Sequence, residues 1–272
     1  MNKKYLIASD LDGTLLNTNH EISDNNLAAI KKFTSLGNYF VINTGRPYFR
    51  TIDCLKRLNQ DNEHHYCICY NGALILKGNG EVVYKHILKN NEVKEIVELA
   101  ERLDDIPTLM YNDSAIYYDK LTPSTMFLEA LNCTIEIKDG KEDFKNYQNI
   151  FKILFVGEKD QIEKAKKMIP QAYFDKYNIV QSGPLWLEIQ SKRIDKGTGL
   201  KTLCDLLKID YQNAYAVGDE ENDLSMIDNI FNGVAVANAR PLVLSKANFI
   251  VKSNDEDGIE DLINKLIGDN NA

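Results

Sequence analysis

Two carboxylates, Asp10 and Asp12, stand at the end of a short apolar run at residues 5–8. The run is typical of a buried strand, where carboxylates are costly unless another group compensates their charge. Gly13 and Thr14 come next, and this pair indicates a tight turn that holds the backbone close to a ligand. A metal ion and a phosphate would together justify this arrangement. The segment therefore predicts a catalytic site at the end of the first strand.

The same residues also fit the start of a calcium-binding loop. A loop of the EF-hand type needs a glutamate at its twelfth position, and Glu21 is the twelfth residue counted from Asp10. Two observations oppose this alternative. Leu15 and Leu16 lie inside the loop, and the element before it is predicted to be a strand, not a helix. We therefore favour the catalytic interpretation.

A second polar turn, made of Thr44, Gly45 and Arg46, follows another apolar run at residues 39–43. A hydroxyl, a flexible backbone amide and a guanidinium at the end of a strand form a good phosphate-binding corner. We expect Thr44 and the Gly45 amide to bind a phosphate oxygen. Arg46 is expected to reach the substrate, with a salt bridge as a nearly equal alternative for this side chain.

Lys196 stands between an aspartate and a glycine at the start of a predicted helix that continues to Leu207. A lone lysine is usually a solvated surface residue. Here its place at the opening of a helix favours a catalytic role, in which the ammonium group neutralises charge on the nucleophile and on a phosphoryl group.

An acidic loop follows the predicted strand at 214–217 and contains Asp219, Asn222 and Asp223. The two aspartates are four residues apart and share one face if a helix begins there. Alternatively, these acidic residues mark the N-terminus of a helix, where the helix dipole favours negative charge. This alternative explains the two glutamates after Asp219. It does not explain Asp219 itself, because ligands of open α/β sheets bind at the carboxyl ends of strands.

The donor types in these turns predict a magnesium site. Asp10 and Asp219 are the expected metal ligands, and Asp223 is expected behind them, orienting waters or Lys196. Asn222 is expected to contact the phosphate or a metal-bound water. Carboxylate oxygens with a phosphate partner favour Mg²⁺ over zinc, which prefers histidine and cysteine.

Strand-like apolar runs alternate with helical stretches over both ends of the chain. This alternation predicts a doubly wound, mostly parallel, Rossmann-like α/β core sheet. The strands are predicted at residues 5–9, 39–43, 66–70, 214–217, 233–236 and 248–251. Helices are predicted at 23–37, with Ser23 as N-cap, and from Pro47 to Asn59.

The pattern changes in the middle of the chain, where paired strands mix with helices. Helices are predicted there at 91–103, 123–131 and 159–168, and strands at 107–111, 114–119, 134–137, 150–156, 177–182 and 185–189. We predict an α+β unit at 81–188, between core segments 1–80 and 189–272. Its boundaries are expected near residues 78–80 and just after Leu187.

The composition disfavours several classes of function. The formal net charge of -8 opposes a nucleic-acid partner, which requires a concentrated basic surface. No apolar run approaches the ~20 residues of a membrane span, and the N-terminal apolar run is too short for a signal peptide. The cysteines number five, without a Cys-x-x-Cys pair, and are typical of reduced thiols. We expect a cytoplasmic protein with no nucleic-acid, membrane or obligate protein partner.

The order of these motifs resembles the haloacid dehalogenase (HAD) superfamily. The shared pattern is Asp-x-Asp-Gly-Thr at 10–14, Thr-Gly-Arg at 44–46, the lysine at 196 and Gly-Asp-x-x-Asn-Asp at 218–223. More narrowly, the chain looks like the Cof-type phosphatases, whose large α/β cap (type C2B) is inserted between the second and third motifs. Supporting segments lie at 71–73, 195–197, 224–226 and 254–258. One small departure lies at 234–239, where we would expect a Met and a Gly before Asn238.

Together with the resemblance, the residues indicate a separate catalytic role for each of three side chains. Asp10 is expected to be the nucleophile that forms an aspartyl-phosphate. Asp12 is expected to be the general acid and base, and the resemblance implies that its backbone carbonyl contacts the metal. Lys196 is expected to stabilise the charge that develops during transfer.

Two other functions share these motifs. A phosphomutase or phosphotransferase would have the same core chemistry and differ in how it excludes water. A phospho-ligand-binding module without turnover is less favoured, because such proteins often lose Asp10, Asp12 or Asp219, and all three are present. We predict Mg²⁺-dependent hydrolysis of small phosphomonoesters, sugar phosphates or related metabolites, through an aspartyl-phosphate.

Overall fold

The computed structural model describes residues 4–104, 106–113, 115–119, 122, 136–139, 149–227 and 232–268. The chain divides into two compact units. The first unit consists of the chain up to Lys85 together with the chain from Asp195 onward, and the second unit is His86–Ile194. The second unit is therefore an insertion into the first.

The described residues form fourteen strands and nine α-helices. The strands are β1 (Leu6–Ser9), β2 (Tyr39–Asn43), β3 (Tyr66–Cys69), β4 (Leu74–Lys77), β5 (Val82–Lys85), β6 (Thr108–Tyr111), β7 (Ala115–Tyr118), β8 (Glu136–Asp139), β9 (Lys152–Val156), β10 (Tyr177–Gly183), β11 (Trp186–Ser191), β12 (Ala214–Gly218), β13 (Asn232–Val236) and β14 (Phe249–Val251). The helices are α1 (Asp24–Ser35), α2 (Ile52–Arg57), α3 (Asn90–Arg102), α4 (Lys159–Met168), α5 (Gln171–Lys176), α6 (Lys196–Leu207), α7 (Leu224–Ile227), α8 (Pro241–Lys246) and α9 (Gly258–Gly268).

An eight-stranded sheet forms the centre of the first unit, in the order β14-β13-β12-β1-β2-β3-β4-β5. The strands from β14 to β3 are parallel, and β4 and β5 continue the sheet in antiparallel fashion. The central strand β1 is completely buried, as its continuous apolar sequence requires in a sheet covered on both faces. The carboxyl ends of the parallel strands consequently meet along one edge of the sheet.

The first long helix of this unit begins and ends where its sequence predicts. The Ser23 hydroxyl caps α1 by accepting a hydrogen bond from the Asn26 amide at 3.1 Å. Gly37 follows the helix with a φ of 85°, a left-handed conformation that glycine adopts without strain.

A six-stranded sheet forms the second unit, in the order β10-β11-β9-β6-β7-β8. Its neighbouring strands are antiparallel, except that β7 and β8 are parallel. Alternate side chains of the sheet, including Met110, Ile153 and Ile189, share one hydrophobic core with Ile96 of α3 and Ile162 of α4. The second unit is thus an α+β insertion.

The predicted fold class is confirmed, because a mostly parallel α/β sheet carries an inserted α+β unit. The hairpin of β4 and β5 was not predicted. The turn at residues 78–80 joins these two strands, and the Gly80 amide donates to the Lys77 carbonyl at 2.9 Å. The first division of the chain therefore falls after Lys85 rather than at residue 80. The second falls after Ile194, because β11 continues beyond residue 188 to Ser191.

Two further sequence predictions concern helices. The predicted helix at 123–131 lies outside the described residues. Among the helices that are described, none combines the length and the apolar character that crossing a membrane requires.

Candidate active site

Three neighbouring parallel strands carry predicted site residues at their carboxyl ends. β1 lies between β12 and β2 in the sheet. Asp10 follows β1, Thr44 follows β2 and Asp219 follows β12. The Asp10 amide still belongs to the sheet, because it donates to the Val217 carbonyl at 2.9 Å. The strand order thus brings together residues that are far apart in the sequence.

Lys196 brings a buried cation to this edge of the sheet. Its Nζ lies 2.7 Å from Oδ1 of Asp10 and 2.6 Å from Oδ1 of Asp223, and its side chain is completely buried. Lys196 is the first residue of α6. The helix begins there because Asp195 caps it, accepting a hydrogen bond from the Thr198 amide at 2.7 Å.

Asp223 orders the turn that follows β12. Its Oδ2 accepts hydrogen bonds from the amides of Asp219 and Glu220, at 2.9 and 3.0 Å, while its Oδ1 contacts Lys196. Both carboxylate oxygens are therefore engaged within the protein. Gly218 permits this packing, because a Cβ at that position would lie 2.4 Å from the Asp223 carboxyl carbon.

Asp219 is held by the turn that follows β1. Its Oδ1 accepts a hydrogen bond from the Thr14 hydroxyl at 2.6 Å. Gly13 lies beside it with a φ of 74°, and a Cβ there would come within 2.5 Å of Asp219 Oδ2. Both the backbone conformation and the close approach require glycine at this position.

The buried acidic cluster fits a divalent cation. Asp10, Asp219 and Asp223 offer carboxylate oxygens within 4.8 Å of one another, and all three residues are buried. Three carboxylates and the single ammonium group of Lys196 leave two negative charges, which are costly to bury uncompensated. Asp10 and Asp219 each have one oxygen without a protein partner among the described residues, so these two could hold the metal, with Asp223 behind them. An oxygen-only donor set suits a hard cation.

Burial controls the protonation of the cluster in the metal-free protein. It raises the pKa of Asp10 above its ordinary value, and Lys196 opposes the rise. It also raises the pKa of Asp219 to about 6, against the opposing effect of the hydrogen bond from Thr14. For Lys196, burial alone would lower the pKa, but the carboxylates of Asp10 and Asp223 outweigh it and raise the pKa. Lys196 therefore keeps its positive charge.

Asp12 lies outside the buried cluster and pairs with Arg46. The Arg46 Nε donates to Asp12 Oδ2 at 2.8 Å, and its Nη2 donates to Oδ1 of the same carboxylate. The Asp12 side chain is 48% exposed, in contrast to the buried Asp10. The structure therefore contains the salt bridge that was the alternative for Arg46, with Asp12 as the partner.

The remaining predicted phosphate contacts lie at the same edge of the sheet. Thr44 is buried, its amide donates to the Ile68 carbonyl at 2.9 Å, and its hydroxyl accepts from the Arg46 amide at 3.2 Å. A Cβ on Gly45 would lie 2.9 Å from the side-chain oxygen of Asn71, so the turn requires a small residue there. Asn222 is half-buried in the 3₁₀ turn Glu221–Asp223.

Two contributors to the cluster were not predicted from the sequence. Thr14 holds Asp219, as described above. Asn43, the buried last residue of β2, donates from Nδ2 to the Lys196 carbonyl at 3.0 Å and lies 3.4 Å from the Met226 sulfur. The signal for Asn43 was a polar residue that ends an otherwise apolar strand.

Comparison with known proteins connects this arrangement to a family. Residues 7–263 match the haloacid dehalogenase-like hydrolase family. A protein of Bacillus subtilis named "Putative phosphatase YxeH" is 32% identical over 269 residues, covering 96% of this chain and 98% of that protein. The 5-amino-6-(5-phospho-D-ribitylamino)uracil phosphatase YitU of the same organism is 26% identical over 262 residues, covering 94% of this chain and 95% of that protein.

The solved structures agree with the sequence relatives. The crystal structure of a haloacid dehalogenase-like hydrolase from Bacteroides thetaiotaomicron has a TM-score of 0.84 and 29% identity, covering 97% of this chain and 100% of that chain. The chain therefore belongs to the Cof-type haloacid dehalogenase-like hydrolases and is an enzyme of the phosphatase type.

Proposed function

We propose that this enzyme hydrolyses small phosphomonoesters through an aspartyl-phosphate on Asp10, with Mg²⁺ as its cofactor. The observation that carries the proposal is the buried contact of 2.7 Å between Lys196 and Asp10. Phosphoryl transfer depends mainly on positioning and on electrostatic stabilisation of the transferring group. A fixed ammonium beside a carboxylate at the carboxyl end of the sheet supplies both.

In the first half-reaction, an oxygen of Asp10 attacks phosphorus and the bond from phosphorus to the ester oxygen breaks. Asp12 donates its proton to the departing oxygen, so that the leaving group departs as an alcohol. The half-exposed position of Asp12 supports this role, because its carboxyl group can exchange protons with solvent. Lys196 favours the ionised form of Asp10 that a nucleophile requires, against the opposing effect of burial.

In the second half-reaction, Asp12 accepts a proton from a water molecule whose oxygen attacks phosphorus. The bond from phosphorus to the Asp10 oxygen breaks, which restores the carboxylate and releases inorganic phosphate. Lys196 is close enough to Asp10 to stabilise negative charge in both half-reactions.

The metal proposal rests on the donor set. Asp10, Asp219 and the backbone carbonyl of Asp12 are proposed to hold Mg²⁺, while Asp223 orients Lys196. When bound, the ion neutralises charge on the phosphoryl oxygens. The two negative charges left over by the cluster support a divalent cation in this position.

The neutral and basic groups at the edge of the sheet are proposed to hold the substrate. Thr44 and the Gly45 amide bind a phosphoryl oxygen, and Asn222 contacts the phosphate from the opposite turn. Arg46 is proposed to contact the substrate as well. This contact requires the guanidinium group either to bind Asp12 and the substrate at the same time or to release Asp12.

The substrate class is proposed to be small phosphorylated metabolites, sugar phosphates in particular. The relative YitU supports this class, because its name specifies a phosphorylated ribityl compound. The inserted unit, His86–Ile194, is proposed to act as the cap that selects among such compounds.

A phosphate-release assay tests the proposal. The panel contains sugar phosphates, nucleotides, cofactor phosphates and β-glycerophosphate, each incubated with Mg²⁺ and with EDTA. Asp10→Asn tests the nucleophile, and Asp53→Asn is the matched control because the Asp53 side chain is almost fully exposed. The proposal predicts Mg²⁺-dependent release that Asp10→Asn abolishes and Asp53→Asn retains.

Two outcomes would contradict the proposal. Normal release by Asp10→Asn would remove the aspartyl-phosphate mechanism. Transfer of phosphate to a second sugar, in place of release into water, would identify a phosphotransferase or phosphomutase.

A further inference from the structure

Two asparagine side chains join the ends of β13 and β14 to the turn that follows β1. Asn238 Nδ2 donates to the Gly13 carbonyl at 2.8 Å. Asn238 Oδ1 accepts a hydrogen bond from the Asn254 amide at 3.0 Å, and Asn254 Nδ2 donates to the Leu16 carbonyl at 2.9 Å. We call these three hydrogen bonds the amide bridge. Neither asparagine has a role in the proposed chemistry.

The strand order explains how the amide bridge reaches the site. β13 and β14 lie beyond β12 on one side of β1, opposite to β2 with Thr44. The segments that follow β13 and β14 therefore approach the turn after β1 from the side that Thr44 and Arg46 do not occupy. Asn238 lies just beyond β13, and Asn254 begins the 3₁₀ turn Asn254–Glu256 beyond β14.

The turn held by the amide bridge is not regular secondary structure. Within Leu11–Leu15, Asp12 has an extended backbone with ψ at 124° and Gly13 has a φ of 74°. A hydrogen bond from the Leu16 amide to the Leu11 carbonyl at 2.9 Å closes the turn. The amide bridge binds the carbonyls of Gly13 and Leu16, which lie just after Asp12.

The segment beyond Asn254 continues the same attachment along the chain. Asp255 Oδ1 accepts hydrogen bonds from the Thr18 amide and hydroxyl, at 2.8 and 3.1 Å. Asp257 accepts from the Ser23 hydroxyl at 2.5 Å and from the Asn25 side chain at 2.8 Å. Residues 254–257 are therefore hydrogen-bonded to the chain from Leu16 to Asn25. The amide bridge is the part of this attachment nearest the site.

We propose that Asn238 and Asn254 are positioning residues that hold Asp12 in place for proton transfer. This inference rests on the proposed function, in which Asp12 protonates the leaving oxygen. Asn238 must donate to Gly13 and accept from Asn254 at the same time, which an amide does and a carboxylate does not. Fixing the Gly13 carbonyl fixes the orientation of the backbone next to Asp12, and general acid catalysis depends on that placement.

Two substrates with different leaving groups distinguish a role in positioning Asp12 from a contribution to folding alone. An alkyl phosphate needs its leaving oxygen protonated, whereas p-nitrophenyl phosphate releases a phenolate that does not. The value of kcat/KM reports only the steps up to departure of the leaving group. A misplaced Asp12 therefore lowers kcat/KM for the alkyl phosphate selectively, and a general loss of folded protein lowers both values equally.

The test compares Asn238→Asp and Asn254→Asp with the wild-type enzyme. Each variant keeps the side-chain size and removes one donor of the amide bridge. We expect kcat/KM to fall about tenfold for β-glycerophosphate, or for the sugar phosphate hydrolysed fastest, which is part of the ~10²–10⁴-fold that general acid–base catalysis provides. We expect the value for p-nitrophenyl phosphate to change less than about twofold. Asn19→Asp, the same change at an exposed site in the same segment, is the control.

A second measurement is independent of activity. Loss of the bridge should loosen the turn, so the Leu16 amide should exchange its hydrogen faster in both variants, as followed by nuclear magnetic resonance of the full chain. Unchanged exchange at Leu16, or equal losses of kcat/KM on both substrates, would overturn the inference. A wild-type enzyme that hydrolyses neither substrate would refute the proposed function, and the exchange rates would still decide whether the bridge holds the turn.

Discussion

The ammonium nitrogen of Lys196 lies 2.7 Å from Oδ1 of Asp10, although the two residues are 186 positions apart in the sequence. The N-terminus of α6 brings the lysine to the end of β1, and Asn43 anchors its backbone carbonyl from β2. The contact is completely buried on the lysine side, so water screens it little. It holds the Asp10 carboxylate in one orientation, as the proposed attack on phosphorus requires.

Replacing Lys196 tests the importance of its charge. Lys196→Met keeps most of the side-chain volume and removes the cation. We expect kcat/KM to fall by about 10²–10³-fold, as for the loss of other preorganised electrostatic groups. Steady-state kinetics at a temperature where the variant remains folded measure the effect. Lys201→Met, an exposed position on the same helix, should stay within about twofold, and full activity in Lys196→Met would make that residue structural.

Asp12→Asn tests the general acid directly. The variant cannot donate a proton to the leaving oxygen, and the side-chain size is unchanged. We expect kcat/KM for an alkyl phosphate to fall by about 10²-fold or more, with a much smaller loss for p-nitrophenyl phosphate. Equal losses on the two substrates would count against Asp12 as the acid and favour a purely structural contact with Arg46.

The raised pKa of Asp219 predicts how stability depends on pH in EDTA. Burial raises this pKa to about 6, above the ~4 of an unfolded aspartate. The folded protein therefore binds the proton more tightly than the unfolded chain does. This contribution to stability is fully present below about pH 4 and is lost as the pH rises through about 6. Urea unfolding in EDTA should show a free energy of unfolding that falls across this range.

The stabilisation of the folded protein by added Mg²⁺ should depend on pH in the opposite direction. The metal requires ionised carboxylates, so the stabilisation that it provides should grow as Asp219 deprotonates. Asp219→Asn should remove the part of the fall in EDTA that occurs around pH 6, while the contribution of Asp10 remains, and should remove most of the stabilisation by Mg²⁺. A stabilisation by Mg²⁺ that is the same at all pH values, or is retained in Asp219→Asn, would place the metal elsewhere.

Gly218→Ala tests the close packing behind the acidic cluster. The new methyl group would lie 2.4 Å from the Asp223 carboxyl carbon and would displace that side chain. We expect the free energy of unfolding to fall by about 1–3 kcal/mol, as for other overpacked sites, together with a loss of kcat. Gly268→Ala is the control, because nothing lies within 4 Å of a Cβ at that position. A fully active Gly218→Ala enzyme would show that Asp223 can move without consequence.

Much of the fold and part of the site could be predicted from the sequence. Asp10, Thr44 and Asp219 each end an apolar run, and the carboxyl ends of parallel strands meet at one edge. Alternation of helices and strands was therefore enough to predict that these three residues lie at the same edge of the sheet. The N-cap at Ser23 followed from its residue type and its place before a helical stretch.

Other contacts depend on geometry that the sequence pattern does not contain. Alternation predicts a parallel sheet and leaves the order of its strands open, so the reach of Asn238 and Asn254 to the turn after β1 could not be predicted. The pairing of Arg46 with Asp12 depends on the orientation of two surface turns. The β4–β5 hairpin was overlooked because its glycine-rich turn was interpreted as a boundary between domains.

Detection of phosphate on Asp10 tests the account most directly. The enzyme is mixed with substrate and Mg²⁺, quenched rapidly in acid, digested and examined by mass spectrometry, with Asp10→Asn treated identically. The account predicts a peptide that carries one phosphoryl group on Asp10 early in turnover and that is absent from the variant. Rapid turnover with no phosphorylated peptide at any quench time, or with the phosphoryl group on another residue, would contradict it.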